Sequence, residues 1–256
     1  MFPISTPNFL PTFPNVLNRG SLNYRFNTSF PAGETVKENL AIDLVGNNIL
    51  SYPRGGEWES VGILTSIARP NATVVHSNNL GGVPIFNGVN SNFTGTTFEP
   101  SRYTMCCWFK ATGPPNSNDA IGGSLLAGNG QIGLTGYLLC YSWLNSAIYY
   151  GQDGSTASIT SANNTAPRNT IIHVAIRFNG ATRDIYINGL LSASNAFIIN
   201  PGYPTTGDRS YRVGSWGTAA VRQFNGEIYR VSMYDRALSV SEILQNFTAQ
   251  RGFYGV

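Results

Sequence analysis

From Glu38 onward the chain is a succession of short alternating runs separated by residue pairs that turn the backbone back on itself. ENLAIDLV (38–45), VPIFNG (83–88), RYTMCCWFKA (102–111), SLLAG (124–128), GYLLCYSW (136–143), SAIYYG (146–151), TIIHVAIRFNG (170–180), RDIYING (183–189), LLSAS (190–194), YRVGS (211–215) and FNGEIYRVSMYD (224–235) are rich in β-branched and aromatic residues. Runs of this kind read as strands. Between or within them lie Asn87-Gly88, Asp153-Gly154, Asn179-Gly180, Asn188-Gly189 and Asn225-Gly226. These pairs tolerate positive φ and suit hairpin turns. Ten or more short strands with tight turns predict an all-β, two-sheet antiparallel sandwich over residues 36–256. One helix is expected at about 240–250. Ser239 and Glu242 have capping-box spacing, Ile243, Leu244 and Phe247 share a face, and Gly252 is the expected stop.

Residues 1–35 differ. Prolines at 3, 7, 11, 14 and 31 and asparagines at 8, 15, 18, 23 and 27 leave no sustained period of 2 or 3.6. Proline fixes φ and removes a donor, so an extended N-terminal arm is predicted. Its apolar Phe2, Phe9, Leu10, Phe13 and Leu17, with Arg19 and Arg25, are candidate assembly contacts, to the chain's own domain or to a neighbouring subunit.

Several function classes are disfavoured at this stage. Charged residues are 11% of the chain and the net charge is +3, spread over 14 arginines and two lysines, so no basic nucleic-acid surface is expected. No apolar run reaches the ~18 residues of a membrane span, so no membrane insertion is expected. MFPISTPNFLPTFPNV has neither a basic n-region nor a continuous apolar h-region, and no secretory signal is read there. Cys106, Cys107 and Cys140 form no disulfide framework and are expected as buried free thiols.

Catalytic signals are thin. Gly128–Gly133 fits G-x-G-x-x-G, but a strand-like segment follows where a dinucleotide site needs a helix, so a hairpin turn is expected. Gly214-Ser215-Trp216-Gly217 has Val213 where a nucleophile elbow needs glycine. His173 sits in an apolar run and is expected as a satisfied core imidazole. His76 reads as a loop residue without a carboxylate partner. Asn116, Asn118, Asp119 and Asp153 are oxygen-rich loop residues that could hold Ca²⁺, though they are also ordinary turn residues; no cofactor is expected and Ca²⁺ is disfavoured. Exposed aromatic rings beside amides can stack on sugars. On that ground Trp143, Tyr149, Asp153 and Trp216 are the candidate glycan-binding residues. Tyr149 and its neighbour Tyr150 should face opposite sides.

Three stretches resemble the laminin-G-like domains of the concanavalin A-like lectin/glucanase superfamily. IFNGVNSNF (85–93) followed by YTMCCWFKA (103–111) resembles the family's F-D-G-V-D-D-Y and F-T-V-S-A-W-V-K. IIHVAIRFNG (171–180) with RDIYINGLLSAS (183–194) resembles W-H-H-V-A-V-x-Y-D-G and L-x-x-Y-V-N-G. FNGEIYRVSMYDRALSVSEI (224–243) resembles F-x-G-x-I-D-E-V-R-I-Y-N-R-A-L-S-x-x-E-I and is the most specific of the three. Order and spacing agree over about residues 38–250. LAIDLVGNNILSYPRGGEWESVG (40–62) and EILQNFTAQRGFYG (242–255) are similar to the version of this domain in structural proteins of tailed bacteriophages, including phages of cyanobacteria.

The resemblance implies a concanavalin A-like jelly roll. It also departs from the family: Asn87, Asn90 and Asn179 stand where aspartates are frequent, which weakens any Ca²⁺ site. The E-x-D-x-x-E strand of the related glucanases is absent, and Glu57 and Glu59 lie in a loop-like GGEWES. A retaining glycosidase needs two carboxyls ~5–5.5 Å apart. The leading expectation is a non-enzymatic virion protein that decorates a phage capsid or forms part of its tail or neck. Its partners would be other virion proteins or copies of itself, with surface glycans as a further target. The alternative is a free or secreted, extracellular carbohydrate-binding module. A glycoside hydrolase ranks last.

Overall fold

The computed structural model describes residues 34–53, 56–71, 74–116, 121–128, 136–151, 158–196, 209–216 and 222–256. In chain order the strands are β1 (Leu40–Val45), β2 (Trp58–Glu59), β3 (Ile67–Asn71), β4 (Val75–Ser77), β5 (Val83–Asn87), β6 (Asn92–Thr97), β7 (Tyr103–Ala111), β8 (Gly123–Gly128), β9 (Tyr137–Ser142), β10 (Ala147–Gly151), β11 (Ile159–Thr160), β12 (Ile172–Phe178), β13 (Thr182–Ile187), β14 (Leu190–Ala196), β15 (Ser210–Val213) and β16 (Asn225–Tyr234). One helix, α1 (Val240–Tyr254), follows them.

The strands form two eight-stranded sheets, and every strand pairing within them is antiparallel. The first runs β14-β13-β12-β7-β16-β5-β4, with β1 pairing the second half of β16. The second runs β11-β10-β9-β8-β15-β6-β3-β2. Side chains alternate across a strand, and this alternation builds the core. Tyr103, Met105, Cys107 and Phe109 of β7 point inward, with Val174 and Ile176 of β12 and Val231 and Met233 of β16. Tyr137, Leu139, Tyr141, Ile148, Tyr150, Tyr211 and Val213 meet them from the second sheet. The Tyr103 and Tyr150 hydroxyls pair across the gap at 2.7 Å, so neither buried phenol is left bare.

The opposite side of β7, β12 and β16 is apolar too, and α1 closes it. Ser239 accepts from the Glu242 N–H and the Glu242 carboxylate accepts from the Ser239 N–H, so the helix starts at the expected capping box. Trp108 stacks on Tyr254 at 4.3 Å and on Phe247 at 5.9 Å. Val36, Leu40, Cys106, Tyr186, Tyr234, Leu238 and Ile243 form a second buried cluster on this side. The first described residues are clasped there: Gln245 donates to the Glu34 carbonyl (2.7 Å), and the Val36 N–H donates to Asn246 (2.8 Å). Under the helix Arg230 makes two hydrogen bonds to Asp43 (2.8 and 2.6 Å), and Ser232 adds a third (2.8 Å).

The all-β sandwich with one C-terminal helix is the predicted one. Asn188 (φ 49°) and Gly189 (φ 80°) turn β13 into β14 as expected of an Asn-Gly pair. Asn225-Gly226 does not turn. It opens β16, where the Lys110 carbonyl would lie 2.2 Å from a Cβ on Gly226, so only glycine lets β7 come that close. The helix also passes through Gly252 and ends at Gly255, which is left-handed (φ 71°), because Tyr254 still has Trp108 to cover. Five strands fall on stretches without a predicted run: β2, β3, β4, β6 and β11. GGEWES is therefore not all loop, since Trp58 anchors β2 in the core, and His76 sits in β4. All three cysteines are buried and free, with Cys107 in the core and Cys106 on the helix side. His173 is buried, but both its ring nitrogens lack partners, so the expected satisfied imidazole is not what forms. The G-x-G-x-x-G begins at the end of β8 and lies between antiparallel β8 and β9, as the hairpin reading requires; residues 129–135 are outside the described set. The arm residues Phe2, Phe9, Leu10, Phe13, Leu17, Arg19 and Arg25 are also outside it.

Candidate functional site

The outward face of the second sheet has no helix over it among the described residues. Its side chains follow from the strand register. Thr160, Tyr149, Cys140 and Ser124 form one row across β11, β10, β9 and β8. A parallel row holds Gly151, Leu138, Ala127, Arg212, Thr94 and Arg69, from β10 to β3. At ~4.8 Å per strand the second row spans about 24 Å.

Two of the candidate aromatic residues pack on one cluster here. Ala127, Leu138 and Cys140 form a buried apolar floor, and Ile121, Tyr149 and Trp216 pack on it while remaining half-buried. The Tyr149 ring lies along the strand over Gly151, where a Cβ would come within 2.7 Å of it. Tyr150 points the other way into the core, as the period of two predicts. The Arg222 guanidinium sits 5.3 Å from the centre of the Trp216 ring.

Trp143 is not part of this patch. It follows β9, packs against the main core, and carries Arg168 over its ring at 4.5 Å. Arg168 also donates twice to the Trp143 carbonyl (3.1 and 2.6 Å). Trp143 thus packs on the main core, apart from the outer floor that carries Tyr149 and Trp216. Asp153 lies outside the described residues.

Next to Trp216 is a polar group the sequence reading missed. Gln223 pairs with Ser124 through a parallel bridge, and the Ser124 N–H donates to the Arg222 carbonyl at 2.8 Å. The Phe224 N–H donates to Gly214, whose own N–H donates to Leu125, which brings Ser215 alongside. Ser124, Ser215 and Gln223 are fully buried. The Ser124 and Ser215 hydroxyls and both ends of the Gln223 amide have no hydrogen-bond partner. Nothing in the sequence marks them, because β8 and the Gln223 segment meet only in the folded sheet.

The acidic residues beside this sheet are Glu99, paired with Arg209 at the end of β6 and β15, and Glu57 and Glu59 at its β2 edge. Glu57 is paired with Arg69 (2.9 Å) and Glu59 is exposed on β2. Among the described residues no group of three or more His, Cys, Asp or Glu side chains is placed to hold a metal ion. Asn116 accepts from the Gln223 N–H (2.9 Å), while Asn118 and Asp119 are outside the described residues. No helix among the described residues is long and apolar enough to cross a membrane.

Two antiparallel sheets, one outer face sealed by a helix and the other carrying half-buried aromatic rings, define a concanavalin A-like sandwich. Residues 87–244 match a laminin-G family model of the concanavalin A-like lectin/glucanases superfamily, and the chain belongs to that family. No curated protein matches it in sequence. Solved structures share the fold. Domain 4 of an extracellular GH43 arabinanase from Geobacillus stearothermophilus, solved with arabinotriose, is 16% identical with a TM-score of 0.59, over 81% of this chain and 98% of that one. The receptor-binding domain of the botulinum neurotoxin C/D mosaic serotype is 13% identical, TM-score 0.61, over 84% of this chain and 52% of that one. A Trypanosoma rangeli sialidase, solved as a covalent intermediate, is 17% identical, TM-score 0.62, over 86% and 34%. The chain thus spans nearly all of the arabinanase domain but only about half of the toxin domain and a third of the sialidase. At these identities the likeness shows the fold alone.

Proposed function

We propose that the protein is a non-enzymatic glycan-binding module and that the outer face of its second sheet is the binding surface. One observation carries this reading: Tyr149 and Trp216, far apart in sequence, are both half-buried on one apolar floor of this outer face. Apolar ring faces beside fixed polar groups are what a sugar presents a need for. The arabinanase domain solved with a trisaccharide shares this fold and supports the choice of ligand class. The test is a glycan array probed with the wild-type chain, Trp216→Ala and Trp143→Ala. Binding that is lost in Trp216→Ala and kept in Trp143→Ala is expected. No array binding by the wild type, or equal loss in both variants, would overturn the assignment.

We further propose that this module works on a phage particle, in a capsid-decorating, tail or neck position. What supports this is the sequence: the likeness of residues 40–62 and 242–255 to tailed-phage structural proteins, and the proline-rich arm. Deleting residues 1–35 should leave array binding intact and abolish incorporation into particles. Normal incorporation of the truncated chain would sink the virion reading without touching the glycan one.

A further inference from the structure

Lys37 and Lys110 are the two lysines of the chain, against 14 arginines. The ion pairs Arg69–Glu57, Arg177–Asp184 and Arg230–Asp43 are made with arginine. Glu227 is instead paired with Lys110, Nζ to Oε2 at 2.9 Å. The difference is chemical. A guanidinium stays protonated, whereas a lysine that gives up its proton becomes an amine nucleophile. Strand register sets the pair, since Glu227 of β16 stands directly across from Lys110 of β7. Their neighbours Ile228 and Phe109 are in the core, so alternation turns both to the outer face of the first sheet.

The other oxygen of the same carboxylate holds an amide. Asn79 Nδ2 donates to Glu227 Oε1 at 3.1 Å. Asn79 opens the turn Asn79–Gly81 between β4 and β5, and the residues after it, Leu80 (φ 47°), Gly81 (φ 85°) and Gly82 (φ 137°), all take positive φ. A leucine held there is strained, and strain of this kind clusters at working sites. Glu227 is buried and also accepts from the Tyr229 hydroxyl. Tyr229 belongs to an apolar cluster with Val83, Trp108 and Tyr254, which walls the carboxylate on one side. Burial by itself would raise the Glu227 carboxyl, but hydrogen bonds from Tyr229, Lys110 and Asn79 hold it below its ordinary range. It therefore rests as a carboxylate, the form that accepts a proton.

We propose that Lys110, Glu227 and Asn79 form a self-acting cross-link site, in which the Lys110 amine displaces ammonia from the Asn79 carboxamide and leaves an isopeptide bond within the chain. Glu227 carries the protons. Its Oε2 takes one from the Lys110 ammonium. The freed Nζ lone pair attacks Asn79 Cγ, and the carbonyl π pair moves onto Oδ1. That pair returns as the Cγ–Nδ2 bond breaks, and the proton on Glu227 passes to Nδ2, which already sits on the carboxylate. A second Nζ proton follows the same route. The leaving group departs as ammonium, the new amide nitrogen keeps one hydrogen, and Glu227 ends as the carboxylate it began as. One carboxylate touching both the nucleophile and the leaving group turns the encounter into a unimolecular step. The bond ties β7 to the β4–β5 edge of the same sheet, across β16 and β5. This goes beyond the glycan reading, which concerns the other sheet.

The experiment takes the purified full chain, stored at neutral pH, and reads its intact mass and its tryptic peptides by mass spectrometry. We expect a mass lower by one ammonia than the unlinked chain, and a branched peptide joining the Lys110 and Asn79 segments. Trypsin should no longer cut after Lys110, because an acylated lysine carries no charge. Three variants test the roles. Lys110→Arg keeps the ion pair without a nucleophile, and Asn79→Ser removes the carboxamide from an exposed turn position, where folding is not at risk. Glu227→Gln keeps the shape of the side chain without the proton carrier. Each should abolish the branched peptide and restore the full mass. A wild-type chain that keeps its full mass would overturn the cross-link and leave Lys110 and Glu227 as an ion pair only. So would an ammonia loss that persists in Lys110→Arg, which would place it in a succinimide at an Asn-Gly pair such as Asn179-Gly180. A branched peptide that still forms in Glu227→Gln would overturn the role of the carboxylate. None of these outcomes bears on array binding.

Discussion

The two outer faces of the sandwich are built from the same alternation and finished in opposite ways. On the first sheet the large outward rings of β7 and β12, Trp108 and His173, are packed beneath Phe247 of α1, although the two ring nitrogens of His173 have no partner. Trp108 is stacked and donates its indole N–H to Gln250, and Arg230 is locked to Asp43 and Ser232 below the helix. On the second sheet Tyr149 and Trp216 stay half-buried. A face that is sealed earns stability; a face left incomplete by the chain's own residues is where an outside partner can complete it.

The largest effect should come from opening the sealed face. Asp43→Ala leaves Arg230 as a buried charge with no counter-ion, and urea unfolding should show a loss of about 3–5 kcal/mol. Sugar affinity of the remaining folded protein should not change. If affinity falls with stability, the two faces are coupled and the contrast drawn here is too simple.

A second effect is expected from acid. Burial, with the nearby Arg230 charge, holds the His173 imidazole down at about 3. Unfolded, it would titrate near 6.5. The unfolded state therefore binds more protons between those values, so stability is complete above pH 6.5 and falls as the pH drops toward 3. The slope is up to about 1.4 kcal/mol per pH unit. His173→Phe should flatten the curve between pH 6.5 and 4.5. Below that, Glu242 adds its own loss, because its hydrogen bonds to Arg236 hold it at about 2. A mutant curve as steep as wild type above pH 4.5 would show that another group governs the acid transition.

Smaller effects separate the faces further. Ser239→Ala removes the cap of α1 and should cost about 1 kcal/mol by thermal melting, with sugar binding unchanged. Trp216→Ala, on the open face, should also cost only about 1 kcal/mol, since the ring is half-buried, yet it should abolish binding. A stability loss at Trp216 as large as at Asp43 would mean that the ring is core.

The fold was largely legible because it rests on local signals. The runs that became β7, β12, β13 and β16 are long and their alternation is unbroken, and the family resemblance ran through the same stretches. The cap of α1 was readable from two residues. What escaped was short or non-local. β2 and β11 have two residues each, and β3 contains Pro70 within IARPN. Gly252 looked like a stop because its sequence neighbours are silent about Trp108 waiting for Tyr254. The site was legible only in part. Tyr149 and Trp216 could be named as aromatic residues near turns, but so could Trp143, and only the cluster each packs against, the outer floor or the main core, tells them apart. Gln223 and Ser124 carried no signal, since ordinary polar residues become notable only once burial takes their solvent away.

The clasp of Glu34 and Val36 by α1 gives the molecule a back and a front. Both the first described residues and the C-terminal helix lie on the sealed side, with the whole thickness of the sandwich between them and Tyr149 and Trp216. An anchor at either end of the domain, whether a particle surface or an affinity tag, would hold the protein by its back and turn the aromatic face outward, like a hand offered palm first.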